Sequence, residues 1–351
     1  MIYGLITFLQ FLGFKRQSTF AATYFFGFLL VFVAGLRGEA GFDIHRYYEN
    51  WWIPAAKDWL DYRKEPILHL LFGTFDNIGF EFWHAIFFCS LISIILKVWV
   101  FTKTSPLPFW SLVIYYCDFF YFQEMGQFRS GIAMAFILLS FYFLINNKQF
   151  LYFLTWLLAC MIHISAFPTI VMYVIFLKIQ RTYSFWALSS LLIMTIGLAI
   201  FLPLQLVVEN VLSWLNISGV YGAYILRKVA DDVTSGFGSL GEMLSFVILC
   251  ICWYYFRLSP PNKYRDFFFL SYFIGFLFLI LASSYGDIVS RIARNFLISS
   301  AIIVPYLYES SVKDKVNFNI LYLLVLFYGN LKIALIFLKR GSELYPHGTF
   351  L

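Results

Sequence analysis

Charged residues are scarce in this chain. Asp, Glu, Lys and Arg make up 13% of the 351 residues, whereas hydrophobic residues make up 61% and the mean hydropathy is +0.78. Soluble domains carry roughly 25% charged residues, so the composition excludes a soluble protein. The apolar runs follow one another without an insert large enough to fold in water. We therefore expect one membrane domain over residues 1–351.

Hallmarks of several other protein classes are missing as well. The five cysteines all lie in apolar runs, where cysteine acts as a small hydrophobic residue, so we expect no disulfide framework and no metal site. The net charge of +6 is spread over short loops, which argues against a nucleic-acid partner. The sequence contains no phosphate-cradling Gly-rich loop and no two-metal carboxylate cluster. We therefore expect no cofactor.

Apolar runs of membrane-spanning length are frequent. A span needs roughly 17–25 mostly apolar residues, and nine runs meet this requirement: 19–36, 82–101, 106–122, 129–146, 184–208, 240–257, 266–283, 294–309 and 317–337. A shorter run opens the chain and ends at Phe14. The run 149–177 is interrupted near His163 and Pro168, which predicts two short helices in a hairpin. The sequence thus predicts an all-α polytopic membrane protein with about 12 transmembrane helices.

The basic residues of the short loops predict the orientation of the spans. With about twelve spans, these loops all fall on one side, and the positive-inside rule makes that side cytoplasmic. Three longer segments, 37–81, 209–241 and 283–292, then face outward. Several arginines also lie outward, against the usual bias. Because a planar guanidinium binds phosphate in a bidentate way, these arginines indicate an anionic ligand.

The first outer segment begins with a stretch of charged and aromatic residues, 35–48. Arg37 lies at the membrane edge, where it can reach a phosphate without being buried. Asp43 and Tyr47 are one helical turn apart, and Arg46 lies between them in the sequence. The alternative is an ordinary interfacial loop with an arginine anchor and a tyrosine belt. The pattern alone supports both interpretations equally.

Two further charged residues adjoin apolar segments. Glu65 precedes Pro66 and a segment too short to span, which fits a re-entrant or surface-lying helix, although Glu-Pro is also a routine helix start. Arg129 enters a span whose small residues permit close helix packing. A charge in a membrane helix is costly and usually faces the protein interior or a water-filled cavity. Arg129 is therefore a candidate functional residue.

A histidine and an arginine pair complete the set of candidates. His163 lies beside the predicted helix break, and breaks at membrane depth occur mainly where the backbone lines a cavity. The alternative is a histidine satisfied within the core. Arg291 and Arg294 are three residues apart and share one helix face, which suits a diphosphate. As an interfacial pair they would instead anchor the helix or bind lipid headgroups.

The order and spacing of these motifs resemble the EpsG-like family of polysaccharide polymerases, the Wzy class. The motifs are Gly35-Leu36-Arg37, Gly41-Phe42-Asp43, Tyr47, Glu65-Pro66, Gln127-Phe128-Arg129-Ser130-Gly131-Ile132-Ala133 and Ile162-His163-Ile164-Ser165-Ala166. The resemblance covers nearly the whole chain. It departs at Phe128, where the family often has a smaller aliphatic residue, and at Gly131, where a Gln-Gly pair is common. The subfamily and the sugar specificity therefore stay open.

The resemblance implies a fold related to the multispan lipid-dependent, GT-C-like glycosyltransferases. It also implies a bacterial cytoplasmic-membrane enzyme whose active site faces outward. Such an enzyme joins undecaprenyl-diphosphate-linked oligosaccharide repeat units and releases undecaprenyl diphosphate. Membrane lipid, a flippase and a chain-length regulator of the same pathway are the other expected partners. Whether the product is O-antigen, capsule or exopolysaccharide stays open.

This activity needs a proton acceptor and cations that stabilise the departing diphosphate. The candidates for the general base are Asp43, His163 and Glu65. The candidates for binding diphosphate and sugar are Arg37, Arg46, Tyr47, Arg129, Arg291 and Arg294. No residue is assigned to a metal.

Other function classes remain open at this point. A flippase or exporter of lipid-linked oligosaccharides needs comparable polar groups in both membrane halves, often with an internal repeat. The sequence shows no clear repeat, and its intramembrane polar residues cluster outward, which disfavours a carrier. An O-antigen ligase or a membrane acyltransferase would also have an outer active site, and the pattern excludes neither.

Overall fold

The computed structural model describes residues 16–41, 43–58, 65–178, 185–201 and 240–313. These residues form helices and their connections, and no strand occurs among them, which confirms the predicted all-α class. The chain packs as two compact units. Of the described residues, those up to Phe167 and those from Ser300 onward form the first unit, and those from Pro168 to Ser299 form the second.

The longer helices are numbered in chain order. They are α1 (Arg16–Gly35), α2 (Pro66–Asn77), α3 (Phe82–Thr104), α4 (Pro108–Tyr115), α5 (Phe128–Ile145), α6 (Gln149–Ile162), α7 (Val171–Lys178), α8 (Phe185–Phe201), α9 (Leu240–Leu258), α10 (Lys263–Leu297) and α11 (Ser300–Lys313). Short helical segments occur at Ile44–Tyr47, Ile53–Lys57 and Tyr121–Gln123, π-helical segments at Tyr48–Trp52 and Tyr116–Phe120, and a 3-10 helix at Ile164–Ile170.

Three helical stretches in the described ranges are long and apolar enough to cross a bilayer. They are Phe82–Thr104, Phe128–Ile145 and Lys263–Leu281. Shorter apolar stretches are Phe20–Gly35, Gln149–Ile162, Ile164–Leu177, Leu188–Leu198 and Met243–Leu258. The chain is thus a helical membrane protein. The total of about 12 spans and the relation to GT-C-like enzymes stay predictions, because the opening run, nearly all of 209–241 and the run 317–337 lie outside the described residues.

In the first unit, the packing of helices positions the site. Helix α3 packs against α1 and α5, and α5 packs against α6. The short helix α2 packs against α3 and α6. An aromatic core fills the junction, with buried residues from five segments that include Tyr47, Phe72, Phe82, Phe128 and Ile162. The start of α5 and the end of α6 therefore lie against the first predicted outer segment.

The predicted interruption of the run 149–177 is confirmed. Helix α6 ends at Ile162, and His163 adopts an extended conformation with φ −155° and ψ 122°. The 3-10 helix that follows contains Pro168, which has no amide hydrogen for a regular helix. The helix α6 register therefore ends before His163, whose amide donates to the Ala159 carbonyl and whose carbonyl accepts from the Ala166 amide.

In the second unit, α10 packs against α8 and α9, and a residue of its first half, Gly275, contacts its C-terminal end. A Cβ on Gly275 would lie 2.8 Å from Cβ of Phe296. Residues about 20 positions apart in a straight helix are roughly 30 Å apart, so the chain reverses between Gly275 and Phe296. A reversal is expected between the predicted spans 266–283 and 294–309. The intervening residues 283–292, however, are helical rather than an open loop, because they contain no proline to end the helix.

Candidate active site

Three segments of the first unit bring Glu65, Arg129 and His163 into direct contact. Glu65 precedes helix α2, Arg129 is the second residue of α5, and His163 follows α6. The Glu65 carboxylate accepts a hydrogen bond from Arg129 Nη1 at Oε2 and one from His163 Nδ1, 2.9 Å away, at Oε1. These partners are 64 and 98 residues from Glu65 in the chain. We call these three residues the Glu65 cluster.

The backbone of Glu65 is strained. Its φ of 44° and ψ of 70° place it in the left-handed region, although it has a side chain. Such a conformation costs about 1–3 kcal/mol and persists where surrounding contacts enforce it, typically at functional sites. The Glu65 carbonyl accepts hydrogen bonds from the amides of Leu68 and His69, which start α2. The start of α2 and the side chains of Arg129 and His163 therefore hold the Glu65 carboxylate in one orientation.

Aromatic rings enclose the Arg129 guanidinium. Its central carbon lies 4.0 Å from the Trp51 ring centroid and 5.0 Å from that of Tyr47. Tyr47 in turn packs edge-to-face on Phe128, with ring centroids 4.3 Å apart. Trp51 belongs to the π-helical segment Tyr48–Trp52, a geometry that shifts side chains relative to a regular helix and often occurs at functional sites. Cation–π contact and the carboxylate together fix the plane of Arg129.

The Glu65 cluster is only partly buried. The side chains of Glu65 and Arg129 are 15% exposed and that of His163 is 9% exposed, so none of the three side chains is completely enclosed. Burial alone would raise the pKa of Glu65, but the hydrogen bond from His163 and the charge of Arg129 outweigh it, and the pKa is lowered. Burial raises the pKa of Tyr47. Glu65 is therefore an anion at neutral pH that orients its two partners.

The orientation of His163 leaves one ring nitrogen available. Since ionised Glu65 can only accept, His163 donates from Nδ1, and in the neutral form of the ring Nε2 then carries the lone pair. Among the described residues, none hydrogen-bonds to Nε2. Arg129 Nε and Trp51 Nε1 are also buried without a partner in this part of the chain. His163 Nε2, a potential base, thus lies in the same site as two N–H groups, Arg129 Nε and Trp51 Nε1, that have no described partner.

Arg37 lies on the other side of the Tyr47 and Phe128 rings. It is 3% exposed, and its Nη1 donates to the backbone carbonyl of Glu124. Its guanidinium carbon is 5.8 Å from the Phe128 ring centroid. Burial lowers the pKa of Arg37 to about 10. The Nε and Nη2 groups have no hydrogen-bond partner within the described ranges.

A second ion cluster, which the sequence pattern does not reveal, lies beside Arg37. Lys97 Nζ on α3 donates to Glu124 Oε1 at 2.6 Å, to Ser93 Oγ at 2.6 Å and to the Gly131 carbonyl at 2.7 Å. Glu124 Oε1 also accepts from Ser93 at 2.8 Å and from the Tyr115 hydroxyl. We call Ser93, Lys97, Tyr115 and Glu124 the Glu124 cluster. A lysine inside an apolar run is the signal that would have identified it.

The other predicted site residues lie elsewhere. Asp43 and Arg46 form a pair at 3.4 Å, with side chains 24% and 77% exposed, and no described contact joins them to Glu65 or His163. Arg291 and Arg294 lie in α10, in the second unit. Their binding of diphosphate stays a prediction. The residues 209–239 of the second outer segment lie outside the described part.

The chain is similar to a known family and to a protein of known pathway. Residues 20–349 match the sequence model of the EpsG family. The chain is 25% identical over 328 residues to the amylovoran biosynthesis protein AmsC of Erwinia amylovora, an alignment that covers 90% of this chain and 86% of that protein. No solved structure is significantly similar to the chain.

Proposed function

The chain belongs to the EpsG family, and on that premise we propose that it is a polymerase of exopolysaccharide biosynthesis. Its substrates are undecaprenyl-diphosphate-linked oligosaccharide repeat units at the outer face of the cytoplasmic membrane. The similarity to an amylovoran biosynthesis protein supports the pathway. The basic short loops support the orientation. The contact of Glu65 with both Arg129 and His163 is the observation that carries the proposal.

His163 is the proposed general base. The hydroxyl of the acceptor sugar attacks the anomeric carbon of the growing chain and forms a new C–O bond. His163 Nε2 takes the hydroxyl proton, while Glu65 stabilises the resulting imidazolium through Nδ1. Of the three candidate bases, Glu65 is engaged in orienting its partners and Asp43 is paired with Arg46. His163 is the remaining candidate, because none of the described residues hydrogen-bonds to its Nε2.

Arg129 is the proposed diphosphate ligand. As the anomeric C–O bond breaks, its electron pair goes to the diphosphate oxygen, and a nearby cation stabilises that charge more in the transition state than in the substrate. Arg129 Nε is buried without a described partner and is free to donate to this oxygen. Arg37 is 3% exposed and lies against the Phe128 ring, contrary to the expectation that it reaches a phosphate without being buried, so its binding of diphosphate stays a prediction. That Arg291 and Arg294 bind diphosphate stays a prediction from the sequence.

Deletion of the gene separates the proposed polymerase from a carrier. The proposal predicts that the long glycan ladder disappears from gels of the surface polysaccharide, while single repeat units accumulate on the lipid carrier at the outer face. Units trapped at the cytoplasmic face would indicate a flippase instead. An unchanged ladder would contradict both activities.

Complementation of the deletion strain tests the site. Arg129→Ala and His163→Ala should fail to restore the ladder at wild-type amounts of protein in the membrane. Arg257→Ala is the matched control, because Arg257 lies 5.7 Å from the Trp253 ring and is exposed, with no predicted role in the site. Full-length polymer in both site variants would refute the assignment.

A further inference from the structure

The Glu124 cluster is buried where a charge is most costly. The Lys97 side chain is 0% exposed and that of Glu124 is 1% exposed, and Lys97 lies within the membrane-spanning helix α3. Charged residues at such positions are rare and usually functional. No part of this cluster is accessible to a sugar or a diphosphate. A role in holding other groups is therefore more consistent with its burial than a role in the reaction.

We infer that Lys97 and Glu124 are positioning residues that hold Arg37 and Arg129 in place for the proposed polymerase reaction. The inference presupposes the proposed polymerase function. Its evidence is the geometry of the Glu124 cluster. The turn 124–127 connects the segment Tyr121–Gln123 to helix α5. Arg37 donates to this turn, and Arg129 follows it as the second residue of α5.

The hydrogen bonds of Lys97 fix the start of α5. Lys97 uses its three N–H groups on three acceptors, one on its own helix, one on the turn and one on α5. The α5 acceptor is the carbonyl of Gly131, two residues beyond Arg129. Because Gly131 has no side chain, Glu124 and the Gln123 carbonyl can pack against α5 here. A Cβ on Gly131 would lie 3.1 Å from Glu124 Oε1 and 3.1 Å from the Gln123 carbonyl oxygen. The ammonium therefore sets the position of the α5 backbone that carries Arg129.

The hydrogen bonds of Glu124 fix Arg37. Arg37 Nη1 donates to the main-chain carbonyl of Glu124, whose side chain is held at Oε1 by Lys97, Ser93 and Tyr115. Gly41 packs on the same turn with φ +135°, and a Cβ there would overlap the Met125 carbonyl oxygen. The loop that carries Arg37 is thus docked on a turn whose own position depends on the buried carboxylate.

Stability alone does not account for the pair. Replacing a buried ion pair by apolar residues of similar size is often neutral or stabilising, whereas removing one partner is strongly destabilising. An apolar pair, however, lacks the directional bonds to Gly131 and to the turn. The double variant Lys97→Met/Glu124→Met therefore separates stability, which it should largely retain, from positioning, which it should lose.

The experiment uses the full-length protein in lipid nanodiscs and three readouts: melting temperature, amide hydrogen exchange and polymer yield in the complemented deletion strain. In the double variant we expect a melting temperature near that of the wild type. Exchange in peptides covering 124–131 and 37–41 should rise about 10-fold or more as local opening becomes easier. Polymer yield should fall on the order of 100-fold, as displaced catalytic groups produce.

Two further variants complete the design. Glu124→Gln keeps the size and one acceptor oxygen of Glu124 but leaves the Lys97 charge buried without its partner, so it should raise exchange in the same peptides and melt at a lower temperature than the double variant. Tyr306→Phe is the matched control, because the Tyr306 hydroxyl donates to the carbonyl of Thr104, the last residue of α3, and not to the Glu124 cluster. It removes one buried hydrogen bond on the same helix and should change neither exchange at 124–131 nor polymer yield.

The outcomes separate the two proposals. If the double variant exchanges like the wild type and retains its polymer yield, Lys97 and Glu124 are not positioning residues. The assignment is also overturned if neither Glu124→Gln nor the double variant accumulates in the membrane, because the pair is then required for folding. If exchange rises at 124–131 but gene deletion leaves the glycan ladder intact, the positioning stands and the polymerase proposal fails.

Discussion

Two ion clusters in the first unit are each built around one carboxylate, but they differ in access to solvent. The Glu65 cluster joins Arg129 and His163, and its side chains are 9–15% exposed. In the Glu124 cluster, the ion pair with Lys97 is 0–1% exposed, and a lysine, a serine and a tyrosine all donate to one carboxylate oxygen. Similar chemistry therefore occurs in two environments within the same helix group.

The difference in exposure separates two uses of a charged pair. A partly exposed cluster can exchange protons and accept a ligand, and its strained Glu65 backbone is typical of such sites. A fully buried cluster can do neither, because no water is present to offset the free-energy cost of moving a charge or a proton there. The comparison predicts that substitutions in the Glu65 cluster act on turnover, whereas substitutions at the Glu124 cluster act through geometry.

Removal of His163 should produce the largest effect. His163→Asn retains an N–H that can reach Glu65 but lacks a base at the position of Nε2. A general base contributes about 10²–10⁴-fold to a rate, so the rate of chain growth should fall by that factor at equal protein amounts. Polymer length on gels and the pool of lipid-linked single units measure it. His45→Asn, at an exposed histidine of the same unit, should behave as the wild type; a normal rate in His163→Asn would break the comparison.

Replacement of Arg129 by lysine should have the next largest effect. Lysine keeps the charge but loses the planar fork that spans Glu65 and stacks on Trp51. Loss of a transition-state donor typically lowers a rate about 10²–10³-fold, and we expect polymer yield to fall toward that range. Arg257→Lys changes an exposed arginine near the Trp253 ring and should keep full yield. Equal yields in the two variants would show that charge alone suffices at Arg129.

A pair of glycine substitutions tests whether the turn 124–127 is a docking surface. Gly41 and Gly79 both have positive φ, +135° and +87°, but a Cβ on Gly41 would overlap the Met125 carbonyl whereas a Cβ on Gly79 would meet open space. The conformational strain of alanine, about 1–2 kcal/mol, applies to both. Gly41→Ala should therefore lower the melting temperature and polymer yield more than Gly79→Ala. Equal losses would mean that the loop does not depend on the turn.

Acidification should have the smallest effect, and one confined to the Glu65 cluster. The folded-state pKa of Glu65 lies below its ordinary value of 4.5, so the unfolded state binds more protons between the two values. The stabilisation is complete above about 4.5 and is lost as the pH falls through the folded pKa. Melting temperatures of the wild type should fall more steeply below that pH than those of Glu65→Gln. Glu49→Gln, at an exposed carboxylate, should follow the wild type.

Much of the Glu65 cluster was predictable from the sequence as a set of single residues. Glu65 before Pro66, Arg129 at the start of a span and His163 at a helix break each stand out because polar residues are conspicuous in apolar runs. Their contact was not predictable, since partners 64 and 98 residues apart meet only through helix packing. The helix break itself followed from Pro168 and its neighbours.

The Glu124 cluster shows where the sequence pattern is insufficient. Lys97 lies within the apolar run 82–101, whose other residues dominate the pattern, and Glu124 lies near a predicted span end among outward acidic residues. The two charges meet only through the packing of α3 against α5, and Gly131 leaves room for the Glu124 carboxylate beside α5. Likewise, the reversal within α10 followed from two apolar runs, whereas the helical conformation of 283–292 did not.

The most direct test of the central claim is chain growth by the purified protein. Lipid-linked single units isolated from the deletion strain are added to the full-length protein in nanodiscs, and polymer length is followed together with the release of undecaprenyl diphosphate. The account predicts that the wild type releases one undecaprenyl diphosphate for each new linkage, and that His163→Asn forms linkages about 10²–10⁴-fold more slowly. Absence of linkage by the wild type, or an undiminished rate in His163→Asn, would contradict it.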